Sequence, residues 1–381
     1  MIKILMIIGA RPQIIKAAAL SRAVRDRFVD AVQEKILHTG QHYDDNMSAV
    51  FFDELGIPRP DYNLGVGSCG QGVQTARMIE GIENVLQSEP FDGVVLYGDT
   101  NSTLAGAVAA AKLHVPAFHV EAGLRSFNMA MPEEINRIVC DHLSSILFAP
   151  TETAVDNLRK EGLDSDSARF DRGRRRLVCF AGDIMYDNSL YYGSIAEKGS
   201  NILQRLGLES SNYVLATVHR DFNTDDPLRL ESIFTALFHI AEKRKTKVVI
   251  PLHPRTRKML SGDSGKNLYD RLLNSDHISV VPPVSFLEMI VLEKNSAIVM
   301  TDSGGVQKEA FFYQKPCLIL RPETEWVEIV EQGAGVIADA DFERIVAAYD
   351  SFCGKPVHFP HLYGDGDASG KILETIVDYL K

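Results

Sequence analysis

The sequence predicts an α/β protein built from two Rossmann-type, doubly wound domains with mostly parallel sheets. Short apolar runs alternate with amphipathic helical stretches, which is the rhythm of βαβ units. That rhythm begins at Lys3 and begins again near Tyr213. At 381 residues the chain is also too long for one ordinary core.

In the first half, Lys3–Ile8 reads as a strand and Gln13–Arg27 as a helix, with a second strand at Glu34–His38 running into the Gly40-Gln41-His42 loop. Helices follow at Asp45–Leu55 and Gly72–Glu89, then the Val94-Val95-Leu96-Tyr97 strand and a helix at Ser102–Leu113. The Pro116–Val120 strand, a helix at Glu133–Leu143 and a strand at Ile146–Ala149 complete the half. The segment Leu163–Leu177 has no apolar period and carries Arg172-Gly173-Arg174-Arg175-Arg176, so it reads as a solvated loop before the domain boundary. In the second half, strands are predicted at Tyr213–Val218, Lys247–Leu252, His277–Val281, Ala297–Thr301 and Pro316–Leu320. The two nucleotide-binding-like halves are expected to face a central cleft.

A net charge of −11 argues against a broad nucleic-acid footprint. Any anion must then be held locally, by a few placed cations and backbone N–H groups. Cys69, Cys140, Cys179, Cys317 and Cys353 are odd in number and show no Cys-x-x-Cys spacing, as expected of free thiols in a reducing compartment. No apolar run approaches the ~20 residues of a membrane span. The apolar start leads straight into Gly9-Ala10-Arg11-Pro12 and reads as a strand, not a signal peptide. A cytoplasmic protein with no membrane partner is expected.

Three carboxylates sit where such sheets place chemistry. Asp99 and Glu121 directly follow predicted strands, and Glu133 follows a proline at the start of a predicted helix. Ligands bind beyond the carboxyl ends of parallel strands. There, burial and like-charge crowding tune acids for proton transfer. Strand-to-helix turns supply anion sites. Gly9-Ala10-Arg11-Pro12 offers N–H groups with Arg11 and Lys16, although it is neither a Walker loop nor Gly-x-Gly-x-x-Gly. Thr301-Asp302-Ser303-Gly304-Gly305 offers Ser303 as a cap, with glycines that let backbone approach a diphosphate. Glu309 falls later in that helix, placed to accept from ribose hydroxyls. His219 and His253 end adjacent strands of the same half. No carboxylate stands near them at a metal-ligand spacing, so ligand contact is expected of them and a metal is not.

These residues resemble the non-hydrolysing UDP-N-acetylglucosamine 2-epimerases. The likeness rests on Gly9-x-Arg11-Pro12-x-x-Ile15-Lys16, Gly40-Gln41-His42, Gly98-Asp99-Thr100, His119-Val120-Glu121-Ala122-Gly123-Leu124-Arg125 and Pro132-Glu133-Glu134-x-Asn136-Arg137. His219-Arg220, Thr301-Asp302-Ser303-Gly304-Gly305 and Tyr363-Gly364-Asp365-Gly366 complete it. The resemblance implies a GT-B-like architecture, with residues 1–177 carrying the acids, 178–362 binding UDP, and 363–381 a helix returning to the first domain. It implies C2 inversion of a UDP-2-acetamido sugar by anti elimination of UDP and re-addition, with no cofactor and commonly a homodimer. Asp99, Glu121, Glu133 and His219 become the catalytic set. Arg11, Lys16, Arg137, His253, Phe286, Ser303, Gly304, Gly305 and Glu309 become the nucleotide-sugar contacts. Gln41, His42 and Gln71 match residues near which some members bind UDP-GlcNAc as an activator.

Departures from the usual pattern matter. Gln13 stands where many members have Glu, and Trp326-Val327 where they have Arg-Pro. These features, with Ser126-Phe127-Asn128-Met129, resemble the subgroup acting on UDP-2,3-diacetamido-2,3-dideoxy-glucuronate. That substrate adds a C6 carboxylate, for which Arg125 or Arg137 is the expected cation. Phe222 replaces the usual Glu of His-Arg-x-Glu-Asn. The rival readings are a GT-B glycosyltransferase, a nucleotide-sugar sensor and a hydrolysing 2-epimerase. The retained acids argue against the first two.

Overall fold

The computed structural model describes residues 1–41, 56–164, 169–171, 174–262 and 265–381. His42 and the helix expected at Asp45–Leu55 lie outside them. The chain divides into two compact units: Met1–Asn188 with His361–Lys381, and Ser189–Pro360.

The first unit holds β1 (Ile2–Ile8), β2 (Val32–His38), β3 (Tyr62–Asn63), β4 (Gly93–Tyr97), β5 (Ala117–Val120) and β6 (Ile146–Ala149). After them come β7 (Arg169–Asp171), β8 (Arg174–Arg175) and β9 (Leu177–Phe180). The main sheet runs β3-β2-β1-β4-β5-β6-β9, and every pair in it is parallel. Ile4–Ile8 of β1 and all of β4 are buried. A parallel strand covered on both faces must be apolar at every position, which is why these segments read as unbroken runs.

The second unit repeats the plan with β10 (Tyr213–Thr217), β11 (Lys247–Pro251), β12 (Ile278–Val281), β13 (Ile298–Thr301), β14 (Cys317–Ile319) and β15 (Gly335–Ile337). Its order is β12-β11-β10-β13-β14-β15, again parallel throughout. Helix Pro227–Arg244 covers one face, packing Leu230, Ile233, Phe234 and Leu237 on the sheet. Asp226 starts that helix by accepting from the Leu228 and Arg229 N–H groups. Each sheet reverses its order once, between β1 and β4 and between β10 and β13. These switch points are where an open α/β sheet leaves a crevice for a ligand.

The units part at Asn188/Ser189, later than the sequence-based boundary, because β9 pairs with β6 and ties residues 177–180 to the first sheet. The segment read as a solvated loop contains the antiparallel pair β7–β8. Its Arg176 is half-buried and donates to the His142 and Ser144 carbonyls, closing the end of helix Pro132–Leu143. β15 was not anticipated, because Gly335-Val336-Ile337 is too short to show a period. Helix Ala368–Leu380 belongs to the first unit. Asp187 anchors its start, accepting from Ala368 N, Ser369 N and Ser369 Oγ. No described helix is long and apolar enough to cross a membrane.

Candidate active site

At the first switch point, β1 ends in Gly9-Ala10 and helix Arg11–Arg27 begins. Gln13 Oε1 accepts from Gly9 N and Ala10 N at 2.9 and 3.1 Å. Its amide donates to Tyr97 O at 2.8 Å and Thr103 Oγ1 at 3.0 Å, tying the end of β1 to the end of β4. Gln13 is buried, so this departure from the family pattern is an internal brace. Arg11 is exposed on the first turn. One turn on, Lys16 forms an ion pair with Glu121.

Glu121 has φ of 75°, a left-handed conformation that costs a non-glycine residue about 1–3 kcal/mol. The Phe148 carbonyl fixes it by accepting from Glu121 N and Ala122 N at 3.1 and 3.0 Å. Gly98 (φ 62°) sits against this pair: a Cβ there would lie 3.0 Å from Lys16 Nζ and 3.1 Å from Glu121 Oε2. The left-handed φ favours glycine here, and a side chain would press on the ion pair.

Asp99 accepts from Arg137 Nε and Nη2 at 3.1 and 2.9 Å, and its carbonyl accepts from Asn136 Nδ2 at 2.9 Å. Arg137 also pairs with Glu134 at 2.7 Å. Glu134, part of the Pro132-Glu133-Glu134 motif but given no role from the sequence, is fully buried and accepts from Ser126 N, Ser126 Oγ and Phe127 N. Burial pushes its carboxyl up, but those donors and Arg137 hold it below the usual carboxylate range. Its neighbour Glu133 is half-buried with no protein partner among the described residues.

Beneath the turn lies a chain of ionisable groups, buried from His119 through Asp141 to Arg125. His119 Nε2 meets Gly98 O at 2.8 Å and Nδ1 meets Asp141 Oδ1 at 2.7 Å. Asp141 Oδ2 accepts from Gly123 N at 3.1 Å and pairs with Arg125 at 2.8 Å. Arg125 grips Glu161 with two bonds of 2.7 and 2.8 Å. The expectation that Arg125 meets a substrate carboxylate is therefore corrected: its side chain is 1 % exposed and its donors are engaged by Asp141, Glu161 and the Leu124 carbonyl. Arg137 is the cation of the two that faces an acid of the site, Asp99.

Of the residues matched to activation, Gln41 accepts from Ser102 N and Oγ at 3.2 and 2.7 Å, beside the same switch point. Gln71 is exposed at the start of helix Gln71–Ser88.

At the second switch point, buried Asp302 closes the turn after β10. It accepts from His219 N at 3.0 Å, Arg220 N at 3.0 Å and Asn223 Nδ2 at 3.1 Å. The His219 and His253 rings lie 5.5 Å apart. Burial holds the pKa of both below the ordinary value; Arg220 and His253 assist at His219, Arg255 assists at His253, and Asp302 opposes at each. His253 Nδ1 accepts from Arg255 N at 3.2 Å, so that nitrogen caps helix Pro254–Leu260. Phe222, in place of the usual Glu, is exposed and lies under the Arg229 guanidinium.

Ser303 occupies the N-cap position of helix Gly304–Phe312, but its hydroxyl makes no capping bond, contrary to expectation. Its N–H instead donates to Thr301 Oγ1 at 2.9 Å. The first-turn N–H groups thus lack a side-chain cap, as suits an anion site. A Cβ on Gly305 would meet Ser303 Oγ at an ordinary 3.9 Å, while one on Gly304 would run into Glu325 Oε1. Glu325 itself pairs with Arg321 at 2.9 Å. Trp326 is buried, with Lys308 Nζ 4.1 Å from its ring centre. Phe286 is largely buried, edge-on to Tyr192 at 5.5 Å. Glu309 is half-buried beside Glu293, which is wholly buried.

A UDP-N-acetylglucosamine 2-epimerase family model matches residues 27–377. The chain belongs to the UDP-N-acetylglucosamine 2-epimerase family. It is 48% identical over 376 residues to the UDP-2,3-diacetamido-2,3-dideoxy-D-glucuronate 2-epimerase of Pseudomonas aeruginosa, covering 98% of this chain and 99% of that protein. The crystal structure of the Methanocaldococcus jannaschii UDP-GlcNAc 2-epimerase in complex with UDP-GlcNAc and UDP superposes with a TM-score of 0.85 at 40% identity, over 99% of this chain and 100% of that one. The Neisseria meningitidis UDP-GlcNAc 2-epimerase bound to UDP-GlcNAc gives 0.84 at 29% identity, over 99% and 100%. This member of the family has the GT-B-like composition of two Rossmann-type sheets in one chain.

Proposed function

We propose that the protein is a non-hydrolysing C2 epimerase of a UDP-2-acetamido sugar, with UDP-2,3-diacetamido-2,3-dideoxy-glucuronate favoured over UDP-GlcNAc. The substrate preference is supported by the Pseudomonas aeruginosa relative at 48% identity. The chemistry is supported above all by the acids at the first switch point, two of them seated by their own cations: Glu121 on Lys16 and Asp99 on Arg137.

One carboxylate of Asp99, Glu121 and Glu133 removes the C2 proton while the C1–O bond breaks, leaving UDP and a 2-acetamidoglucal. A phosphate oxygen of UDP then re-adds at C1, and a second acid delivers a proton to the opposite face of C2. An unactivated C2–H needs a carboxylate held at close range. Arg11, Lys16, His219, Ser303, Gly304 and Gly305 stabilise the departing diphosphate, where negative charge develops. Glu309 holds the ribose, Phe286 lies near uracil, and Arg137 and His253 complete the contacts. The enzyme acts in the cytoplasm as a homodimer.

The deciding experiment follows both candidate sugars by NMR in heavy water. Deuterium entering C2 with the UDP-sugar retained supports the reading, and the faster substrate identifies the physiological one. Free UDP with no epimerised UDP-sugar would sink it and point to hydrolysis.

A further inference from the structure

We propose that His119 is a positioning residue for the reaction: donating from both ring nitrogens, to Asp141 and to the Gly98 carbonyl, it locks the left-handed Gly98 turn, which lies against the Lys16–Glu121 pair and leads into Asp99. The inference rests on the epimerase reading of that site. Its foundation is geometric. Both ring nitrogens face acceptors, a carboxylate at 2.7 Å and a carbonyl at 2.8 Å. A neutral imidazole carries one N–H and satisfies only one of them. The ring and Asp141 are both wholly buried, so no water supplies the missing donor. An unmet acceptor there would cost about 1–3 kcal/mol.

The surroundings fit a permanent imidazolium. Asp141 faces His119 on one side and Arg125 on the other, and Arg125 is in turn closed by Glu161. Cys140 is the other titratable neighbour. Burial opposes the charged ring, but Cys140 and Asp141 outweigh it and hold its pKa well above the ordinary histidine value. Lys16 and Glu121 lie against Gly98 itself. His119 is also two residues from Glu121 on the same strand end, so it braces both acid-bearing turns at once.

The first test needs no variant. A nitrogen-15 histidine spectrum of the intact protein at pH 8 should show His119 with two protonated nitrogens; a single protonated nitrogen overturns the proposal whatever the activity. Second, His119→Gln can donate to only one of the two acceptors. It should keep its fold by circular dichroism and leave KM within about 3-fold, while kcat falls on the order of 10²-fold, as for an ångström-scale misplacement. Wild-type kcat in the folded variant rejects the idea. Third, Asp141→Asn removes the charge that keeps the ring doubly protonated. Its kcat should begin to fall at a lower pH than that of the wild type as the pH is raised; superposable profiles reject the idea. Wild-type protein without epimerase activity would defeat the functional reading but leave the NMR result standing.

Discussion

Glu293 is a carboxylic acid buried where no carboxylate is comfortable. Burial, and then the neighbouring Glu309, push its pKa well above the ordinary value of 4.5. Its folded-state pKa is raised, so its contribution to stability is complete below the unfolded value and drains away as pH rises through the folded one. Glu293→Gln imitates the protonated form. The variant should melt with the wild type near pH 4.5 and increasingly above it as the pH rises from there. Melting curves that stay parallel across that range would mean that Glu293 is ionised in the fold. At the acid site, Asp99→Asn or Glu121→Gln should keep UDP binding by calorimetry yet lose C2 exchange by about 10²-fold or more. Wild-type exchange in either variant removes that residue from the mechanism. These acids were legible because strand ends expose their position in the sequence. Glu134, Asp141 and Glu293 were not, since a carboxylate inside a helix looks the same in sequence whether it faces solvent or the core.

Elements explain why some family departures say little about the sugar. Gln13 begins helix Arg11–Arg27 and is internal, receiving two N–H groups and donating to Tyr97 O and Thr103 Oγ1. A carboxylate there could accept but not donate. Gln13→Glu should therefore destabilise the protein by about 2–4 kcal/mol at pH 8. Part of that loss should return near pH 5, where the protonated acid can again donate to the Tyr97 carbonyl. A stability loss independent of pH would assign the effect to packing instead. The strands and helices that the sequence does announce lie within a residue or two of their expected bounds, as with helix Gln71–Ser88, expected at Gly72–Glu89, and Asn101–Lys112, expected at Ser102–Leu113; helices Glu152–Lys160 and Ile184–Gly199 were not among them. What sequence could not show were the pieces made by pairing alone. β3, β8 and β15 are two or three residues long, and each exists because a neighbour supplies its hydrogen bonds. The Arg-rich segment illustrates the same limit, since Arg176 becomes a helix-end donor only once β9 has placed it.

For the molecule as a whole, the chain leaves the first unit at Asn188, builds the second, and returns at His361. The returning helix Ala368–Leu380 packs on helix Arg11–Arg27, the element that carries Lys16. Two kinds of contact fasten it, and their magnitudes differ. Arg27 pairs with Asp367 and Glu374, but these side chains are 44–60% exposed, and such pairs contribute about 0–1 kcal/mol. Asp187 is buried and accepts three bonds from the helix start, so its removal strands those donors at a cost of about 3 kcal/mol. Asp187→Ala should therefore loosen the closure far more than Arg27→Ala. Hydrogen exchange should rise in Ala368–Leu380 and in Arg11–Arg27 for Asp187→Ala, with β10, β11 and β13 unchanged. Added salt should weaken the wild type's Arg27 contribution and leave that of Asp187 intact, because only exposed charges are screened. Equal exchange in the two variants, or a rise in the second-unit strands, would show that the buried carboxylate is not what holds the returning helix to the first unit.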